Sequence, residues 1–230
     1  MLRLRLAVLT VLASGAATIG CDQPLVGLRP AVGGIPEILV VSDSATWNGI
    51  VGDAVQQELA QPIRTLPNQQ GFLRLRFQAL APQFMDQIRQ TRNVLFIAPI
   101  GVETPIGEYL RARVPEGQQG AIESGDAVAV TIRENLWAAG QVAVTATAAN
   151  DSLLAEAIIE RADSLRATYE RNVLATTIRE MFDTGRQTEI ERDLMAEKGW
   201  AVNIQHDYIE VQDSSLTVDG QPAQFTRFRR

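Results

Sequence analysis

The spacing of apolar residues changes from strand spacing to helix spacing early in the chain. Residues 37–42 form a short apolar run rich in β-branched side chains, which predicts a buried strand. Asp43 or Ser44 can cap a helix over residues 45–60, in which every fourth residue is apolar. We expect this apolar face to pack on a sheet, and we expect the two glycines of the helix to let its backbone approach that sheet closely.

The middle of the chain predicts more strands, which alternate with shorter helical segments. Strand patterns occupy residues 72–77, 93–99, 127–133 and 141–148. A brief helix is predicted over residues 82–92. The stretch 101–125 is rich in Gly, Pro and Glu, so we expect a long loop there, with one helical turn near residues 106–111.

The strongest helical signal lies in the carboxy-terminal half. Apolar residues step by three and four positions from residue 154 to residue 182, which predicts a long helix capped by Asn150 or Asp151. A second helix is predicted over residues 187–198, where Gly199 can end it. The alternating residues that follow predict strands at 200–204, 208–211 and 225–228.

This order of elements predicts an α+β or α/β fold, in which a mixed β-sheet is packed by a long helix pair and shorter helices. We expect a single globular domain over residues 36–230. Residues 21–35 are rich in Gly and Pro and are predicted to form a flexible tether before it. Because a strand-like pattern runs to the last residues, we expect that the chain is truncated at its carboxy terminus, and a natural end is the alternative.

The first 21 residues have the pattern of a bacterial lipoprotein precursor. Arg3 and Arg5 precede an apolar run over residues 6–17, which is too short to span a bilayer, and small residues lead to Cys21. This lipobox predicts cleavage between Gly20 and Cys21 and acylation of the Cys21 thiol. Two or three acyl chains are enough for stable anchoring. The alternatives are a free thiol behind an ordinary signal peptide and an uncleaved amino-terminal anchor.

Composition and charge narrow the classes of protein and of partner. Hydrophobic residues make up 46% of the chain, which fits a globular domain and argues against a disordered one. The formal net charge is −6, and loss of Arg3 and Arg5 with the signal would make the mature chain more acidic. We expect no nucleic-acid partner, since such proteins carry a basic face. Cys21 is the only cysteine, so stability must come from a packed core and not from disulfides.

The sequence contains no recognisable catalytic set, and we expect no catalytic residue, cofactor or metal site. His206 is the only histidine and has no Cys or second His with which to form a common zinc site. Ser42 and Ser44 lack the Gly-x-Ser-x-Gly elbow of many hydrolases. Four carboxylates near the first strand and helix are the remaining route to acid–base chemistry: Glu37, Asp43, Asp53 and Glu58. The candidate functional residues are Asp43, Trp47 and Asp53.

Several short motifs follow one another along the mature chain: residues 33–41, Trp47 with Gly52 and Asp53, Leu66 with Pro67, residues 92–95, and Trp137 and Ala138 with Gln141. In this order they resemble the bacterial lipoproteins grouped as domain of unknown function 4837. The resemblance implies a lipobox, which agrees with Cys21, and it implies no particular activity. The chain departs from that family at residues 68–71, where an acidic residue and a proline usually follow. The family also continues beyond the equivalent of Phe228, which supports the expected truncation.

Two functions remain open at this point. The favoured hypothesis is a non-enzymatic envelope lipoprotein that is held on a membrane by its lipid anchor and binds an envelope protein or another envelope component. The alternative is a membrane-tethered hydrolase that uses carboxylates. We expect the protein on the periplasmic face of the outer membrane, and Asp22 directly after Cys21 leaves the inner membrane as the alternative location.

A comparison of the full-length protein with Cys21→Ser tests the lipid anchor. In a lipoprotein-competent host, the wild type is expected to lose residues 1–20, gain acyl mass and partition with membranes, because only the Cys21 thiol can take the lipid. The variant should show none of these changes by intact mass and fractionation. Two soluble, unacylated forms would contradict the prediction.

Overall fold

A computed structural model describes residues 27–63 and 71–230. Its centre is a five-stranded sheet in the order β2-β1-β3-β5-β4. The strands are β1 (Glu37–Ser42), β2 (Arg74–Ala79), β3 (Asn93–Ile97), β4 (Ala129–Glu134) and β5 (Val142–Thr147). All are parallel except β4, which runs antiparallel to β5 at one border of the sheet. We call the side where the four parallel strands begin the amino edge, and the side where they end the carboxyl edge.

The described residues form eight α-helices. They are α1 (Ser44–Trp47), α2 (Ile50–Leu59), α3 (Met85–Gln90), α4 (Pro105–Arg111), α5 (Glu116–Glu123), α6 (Asp151–Glu160), α7 (Ala162–Met181) and α8 (Thr188–Lys198). The predicted α+β class is therefore confirmed, since a mixed parallel and antiparallel sheet is packed by helices. No helix within residues 27–63 and 71–230 has both the length and the apolar composition needed to cross a bilayer.

The sheet is covered on both faces, which explains why its central strands are continuous apolar runs. All five residues of β3 are buried, as are five of the six residues of β1. On one face α2, α6 and α7 pack through buried residues such as Val55, Ile158 and Tyr169. On the other face α3 and α4 pack through Ile88 and Leu110. The two packed faces give the domain its core without a disulfide.

Helix α7 lies across the amino edge. The Tyr169 hydroxyl donates to the Val94 carbonyl oxygen at 3.0 Å. Further along the helix, Thr176 Oγ1 accepts a hydrogen bond from Arg92 at 3.2 Å. Both partners belong to the start of β3 or to the residue before it, so α7 covers the strand beginnings.

The end of the chain forms α8 and a two-stranded hairpin of β6 (Ile209–Val218) and β7 (Gln221–Arg229). The predicted strand at 200–204 is wrong: this segment has no ladder, and its neighbour Gln205 forms only an isolated bridge with Arg186. Its backbone is bound to α8 instead, because the Ile204 N–H donates to the Glu191 carboxylate at 2.7 Å. A side-chain hydrogen bond from Arg186 holds the pKa of Glu191 below its ordinary value.

The predicted helix over 45–60 is broken into α1 and α2. Gly49 precedes α2 with an extended backbone, which separates the two helices. A Cβ placed on Gly52 would lie 1.7 Å from the carbonyl oxygen of Trp47. Gly52 therefore allows close contact with the backbone of the preceding turn. We had expected it to allow close contact with the sheet.

Two other predicted elements differ from the structure. The helical turn predicted near residues 106–111 is confirmed as part of α4, which Thr104 caps through its hydroxyl and which has Pro105 in its first turn. The rest of the stretch 101–125 is not a long loop, because α5 follows. The predicted continuous helix from 151 to 182 is interrupted at Arg161, which separates α6 from α7. Its predicted cap is confirmed, since the Asn150 side chain accepts from the Leu153 N–H at 3.0 Å.

Two glycine-to-alanine changes should shift stability in opposite directions. Gly52→Ala is expected to destabilise the fold by about 1–3 kcal/mol, because the new methyl group overlaps the Trp47 carbonyl. Gly120→Ala, in α5 with open space around it, should stabilise by about 0.5–1 kcal/mol through helix propensity. Urea unfolding measures both, and a neutral or stabilising Gly52→Ala would contradict the close approach.

Candidate functional site

The predicted functional residue Asp43 serves as a helix cap. One carboxylate oxygen accepts hydrogen bonds from the N–H groups of Ala45 at 3.0 Å and Thr46 at 2.9 Å. The other oxygen accepts from the Thr46 hydroxyl at 2.8 Å. Both oxygens of Asp43 are therefore committed to the start of α1.

The other carboxylates do not meet Asp43 in a cleft. Glu37 lies at the opposite end of β1, about 20 Å away at the usual rise of a strand, and forms an ion pair with Arg76 at 2.8 Å. Asp53 is exposed in the first turn of α2, and Glu58 accepts a hydrogen bond from Gln61 at 3.2 Å. No two of these four carboxylates face each other as a buried pair.

Trp47 and His206, the two remaining candidates from the sequence, make contacts that stabilise the fold. Trp47 stacks on Phe77 of β2 with ring centroids 5.5 Å apart and planes 8° apart, so it links α1 to the sheet. His206 is exposed, and its Nδ1 shares a hydrogen bond with the Thr184 hydroxyl at 2.6 Å. Among the described residues, no group of three His, Cys, Asp or Glu side chains is placed to hold a metal ion. Gly20, Cys21, Leu66 and Pro67 lie outside the described residues.

Asn93, from the motif at residues 92–95, is the centre of a buried polar network at the amino edge. The Asn93 side-chain amide donates to the carbonyl oxygens of Ile35 at 3.1 Å and Glu37 at 3.2 Å. Its oxygen accepts from the Asn172 amide at 2.8 Å, which fastens α7 to β3. Asn93 is fully buried, so these bonds satisfy a group whose burial would otherwise be costly.

A second buried amide holds the turn between β4 and β5, which we call the 135–141 loop. The Gln141 amide nitrogen donates to the carbonyl oxygens of Arg89 at 2.9 Å and Thr91 at 2.7 Å. The Gln141 amide oxygen accepts from the Trp137 N–H at 3.1 Å. The loop is thus fixed to the end of α3, and Trp137 is held in one position.

The candidate site lies on the face of the sheet that carries α4, where Trp137 approaches that helix. A cavity of about 220 Å³, which we call the Tyr109 pocket, is lined by Tyr109, Arg113, Thr131, Arg133, Leu136, Trp137, Ala143 and Thr145. Helix α4 and the turn after it supply Tyr109 and Arg113, and the β4–β5 hairpin supplies the rest.

Aromatic packing makes one wall of the Tyr109 pocket rigid. The Tyr109 ring stacks on buried Phe96 with centroids 4.6 Å apart. Trp137 meets the same Phe96 edge-on at 6.0 Å. Contact with Phe96 on the sheet therefore fixes the positions of Tyr109 and Trp137, the two aromatic residues of the pocket.

Arginines supply the charge of the pocket. The Arg113 guanidinium carbon lies 3.3 Å from the centroid of the Tyr109 ring, and Arg113 Nη1 donates to the Tyr109 carbonyl at 3.0 Å. Within residues 27–63 and 71–230, neither Arg113 nor Arg133 forms an ion pair. The residues that line the pocket include no carboxylate. The site is therefore cationic within an acidic protein.

Tyr109 contributes a buried donor. Its hydroxyl oxygen is buried and has no hydrogen-bond partner in the described part of the chain. Burial raises the pKa of Tyr109 above its ordinary value, although the nearby Arg113 and Arg89 oppose the shift. The phenol is thus protonated at neutral pH, and its proton has no acceptor among the described residues.

Sequence reasoning placed Tyr109 in a single helical turn near residues 106–111 within a long loop, and it therefore gave no reason to pair Tyr109 with Arg113. The signal was present in the Thr104–Pro105 start and in the apolar spacing of Ile106 and Leu110. Tyr109 and Arg113 stand four residues apart, which is the spacing of neighbours on a helix face. That pairing becomes visible only once α4 is recognised.

Comparison with protein families gives one match. The family described as Domain of unknown function (DUF8532) matches residues 31–182, a range that contains the five-stranded sheet and helices α1 to α7. The resemblance to domain of unknown function 4837 is therefore wrong, since the matching family is a different one. No curated protein and no solved structure matches the chain.

Two tyrosine-to-phenylalanine changes test the unpartnered hydroxyl. Tyr109→Phe is expected to leave the free energy of unfolding unchanged or slightly higher, because it removes a buried hydroxyl without a partner. Tyr169→Phe should cost about 1 kcal/mol, because it removes the bond to the Val94 carbonyl. Urea unfolding compares them, and equal losses would show that the Tyr109 hydroxyl is satisfied.

Proposed function

The chain belongs to the family described as domain of unknown function 8532, and we propose that this member is a lipid-anchored, non-enzymatic binding protein of the cell envelope. In this proposal the Tyr109 pocket holds a small anionic ligand or the anionic end group of a larger envelope component. The anchor is the acylated Cys21 of the lipobox. The periplasmic face of the outer membrane is the proposed location, with the inner membrane as the alternative.

The observation that carries the binding proposal is that the pocket has positively charged groups and hydrogen-bond donors but no negatively charged group. Two guanidiniums without ion pairs, the Tyr109 ring and two threonine hydroxyls line it, and no carboxylate opposes them. Unpaired charges and donors in a concave site gain most from an anion, because charge-assisted hydrogen bonds are stronger than neutral ones. Aromatic walls favour a ligand with a flat apolar part beside its charge.

The size of the pocket limits the ligand. Drug-sized molecules usually occupy pockets of about 300–1,000 Å³, and this cavity has about 220 Å³. The proposal therefore concerns a compact carboxylate or phosphate group attached to one ring or a short chain. The hydrolase alternative has no comparable support. Asp43 caps α1, Glu37 is in an ion pair, and the other two carboxylates lie apart on α2.

Binding of small aromatic anions tests the proposal. Benzoate and phenyl phosphate should bind saturably and change the fluorescence of Trp137, whereas neutral benzamide should bind much more weakly. Arg133→Gln should weaken benzoate binding by about tenfold or more, because a charge-assisted hydrogen bond is lost.

The matched control is Arg192→Gln, an exposed arginine of α8 that does not line the pocket. Titration calorimetry on both variants measures the affinity for benzoate. It separates a loss of affinity caused by the pocket from a general effect of the lower net charge. Equal binding of benzoate and benzamide, or equal weakening by the two variants, would refute the pocket as an anion site.

A further inference from the structure

We propose that the outward face of α7, at the amino edge, rests on an anionic lipid surface. This inference rests on the lipid anchor of the proposed function and adds the orientation of the domain and the chemistry of the surface it contacts. The face consists of Arg171, Leu174, Ala175, Ile178 and Arg179, which we call the α7 face.

The chain enters the fold at the amino edge. The Ala139 N–H donates to the Arg29 carbonyl, and the Ala31 N–H donates to the Ala139 carbonyl, both at 2.9 Å. One step later the Val32 N–H donates to the Gln90 carbonyl at 2.8 Å. Residues 29–32 are therefore pinned to the 135–141 loop and to the end of α3.

The short segment between Cys21 and Arg29 keeps this edge near the membrane. Arg29 follows Cys21 by eight residues, and eight residues of any conformation span at most about 29 Å. A folded chain of this length has a diameter of about 45 Å from its expected radius of gyration. An anchor at Cys21 therefore holds the amino edge within less than one domain diameter of the lipid surface.

Arginines are concentrated on the amino-edge side of the sheet. Five of them form no ion pair with any described residue: Arg29, Arg74, Arg133, Arg171 and Arg179. Glu37 and Glu134 lie on the same side, and Glu37 is paired with Arg76, whereas the carboxyl edge and its loops carry Asp43, Glu103, Glu116, Asp126 and Asp151. This surplus of arginine at one edge of an acidic protein favours one orientation on an anionic surface.

Arg171 and Arg179 lie at the ends of a groove on α7. The groove has a volume of about 330 Å³ and is closed on the other side by Glu134 and the 135–141 loop. One carboxylate thus faces two guanidiniums, and the Asn172 amide is already bonded to Asn93 and Gly140. The arginines stand two helical turns apart, about 12 Å, so each can contact a separate phosphate.

Apolar side chains on the same face support contact with lipid. Leu174 is 52% exposed and Ile178 is 54% exposed, four residues apart on α7. They lie between the two arginines in sequence and on the exposed side of α7, away from buried Tyr169 and Thr176. An anionic lipid surface can accept both kinds of side chain, the arginines at its headgroups and the apolar residues just below them.

Site-specific labelling tests the orientation in the full-length acylated protein. Because Cys21 is the only cysteine and its thiol is consumed by the lipid, an introduced cysteine is the only free thiol. Ala175→Cys places a fluorophore on the α7 face, and Ala121→Cys places it on the exposed side of α5 at the carboxyl edge. Vesicles of phosphatidylcholine, with or without phosphatidylglycerol, carry a headgroup quencher.

The label at position 175 should be quenched strongly in vesicles that contain phosphatidylglycerol, and the label at position 121 should not. In the Ala175→Cys background, Arg171→Gln with Arg179→Gln should reduce the equilibrium for contact by roughly 30-fold, about fivefold for each arginine. The matched control, Gln118→Glu with Ala121→Glu, lowers the net charge equally on exposed positions of α5 and should leave the contact unchanged.

The outcomes separate the two proposals. Acylated protein with equal quenching at both labels, or with no dependence on phosphatidylglycerol, would overturn the orientation and leave the anchor intact. Protein without acyl mass that fails to bind vesicles would overturn the anchor, and the orientation with it.

Discussion

The junction of β1, β3 and α7 at the amino edge depends on one fully buried side chain, Asn93. Its amide group joins the segment before β1, the start of β1 and the middle of α7. A buried amide costs free energy unless its donors and acceptor are satisfied, so the three elements must meet in one geometry. The groove on α7 and the position of the 135–141 loop both follow from that junction, since Asn172 also donates to Gly140.

The β4–β5 hairpin separates two arginine-bearing cavities. Side chains alternate across a strand, so Arg133 and Ala143 line the Tyr109 pocket while Glu134 and Val142 line the groove on α7. The same short loop closes both cavities, and Asn135 holds its turn by accepting from the Gly140 N–H at 2.6 Å. The rigidity of this loop is therefore shared by the two surfaces to which we assign binding and membrane contact.

Sequence pattern predicted the parts of the fold that depend on local chemistry. The strand at 37–42 and the Asn150 cap were predictable because a buried parallel strand and a helix start have strong local signatures. The breaks at Gly49 and Arg161 were not, because the helical periodicity continues through both. The composition of residues 101–125 revealed only one turn of α4 and hid α5, although Thr104 and the packing of Ile106 and Ile122 outweigh the unfavourable glycines of both helices.

The candidate site was beyond sequence reasoning for a different reason. Tyr109, Arg133 and Trp137 come from separate elements, and only the antiparallel placement of β4 beside β5 brings them together. The acids near β1 looked like a cluster because they are close in sequence, yet a strand carries Glu37 and Asp43 to opposite edges. The motifs at residues 92–95 and 137–141 contain the buried amides that join β1, β3, α3 and the 135–141 loop.

The attachment of residues 29–32 also determines how the domain would respond to mechanical load. A pull on the tether would reach the fold through the hydrogen bonds of Ala31 and Val32 before it reached any buried strand. Force would thus be carried first by the 135–141 loop and the end of α3, which are fastened to each other through Gln141. The core of the sheet would carry little of the load until that connection opened.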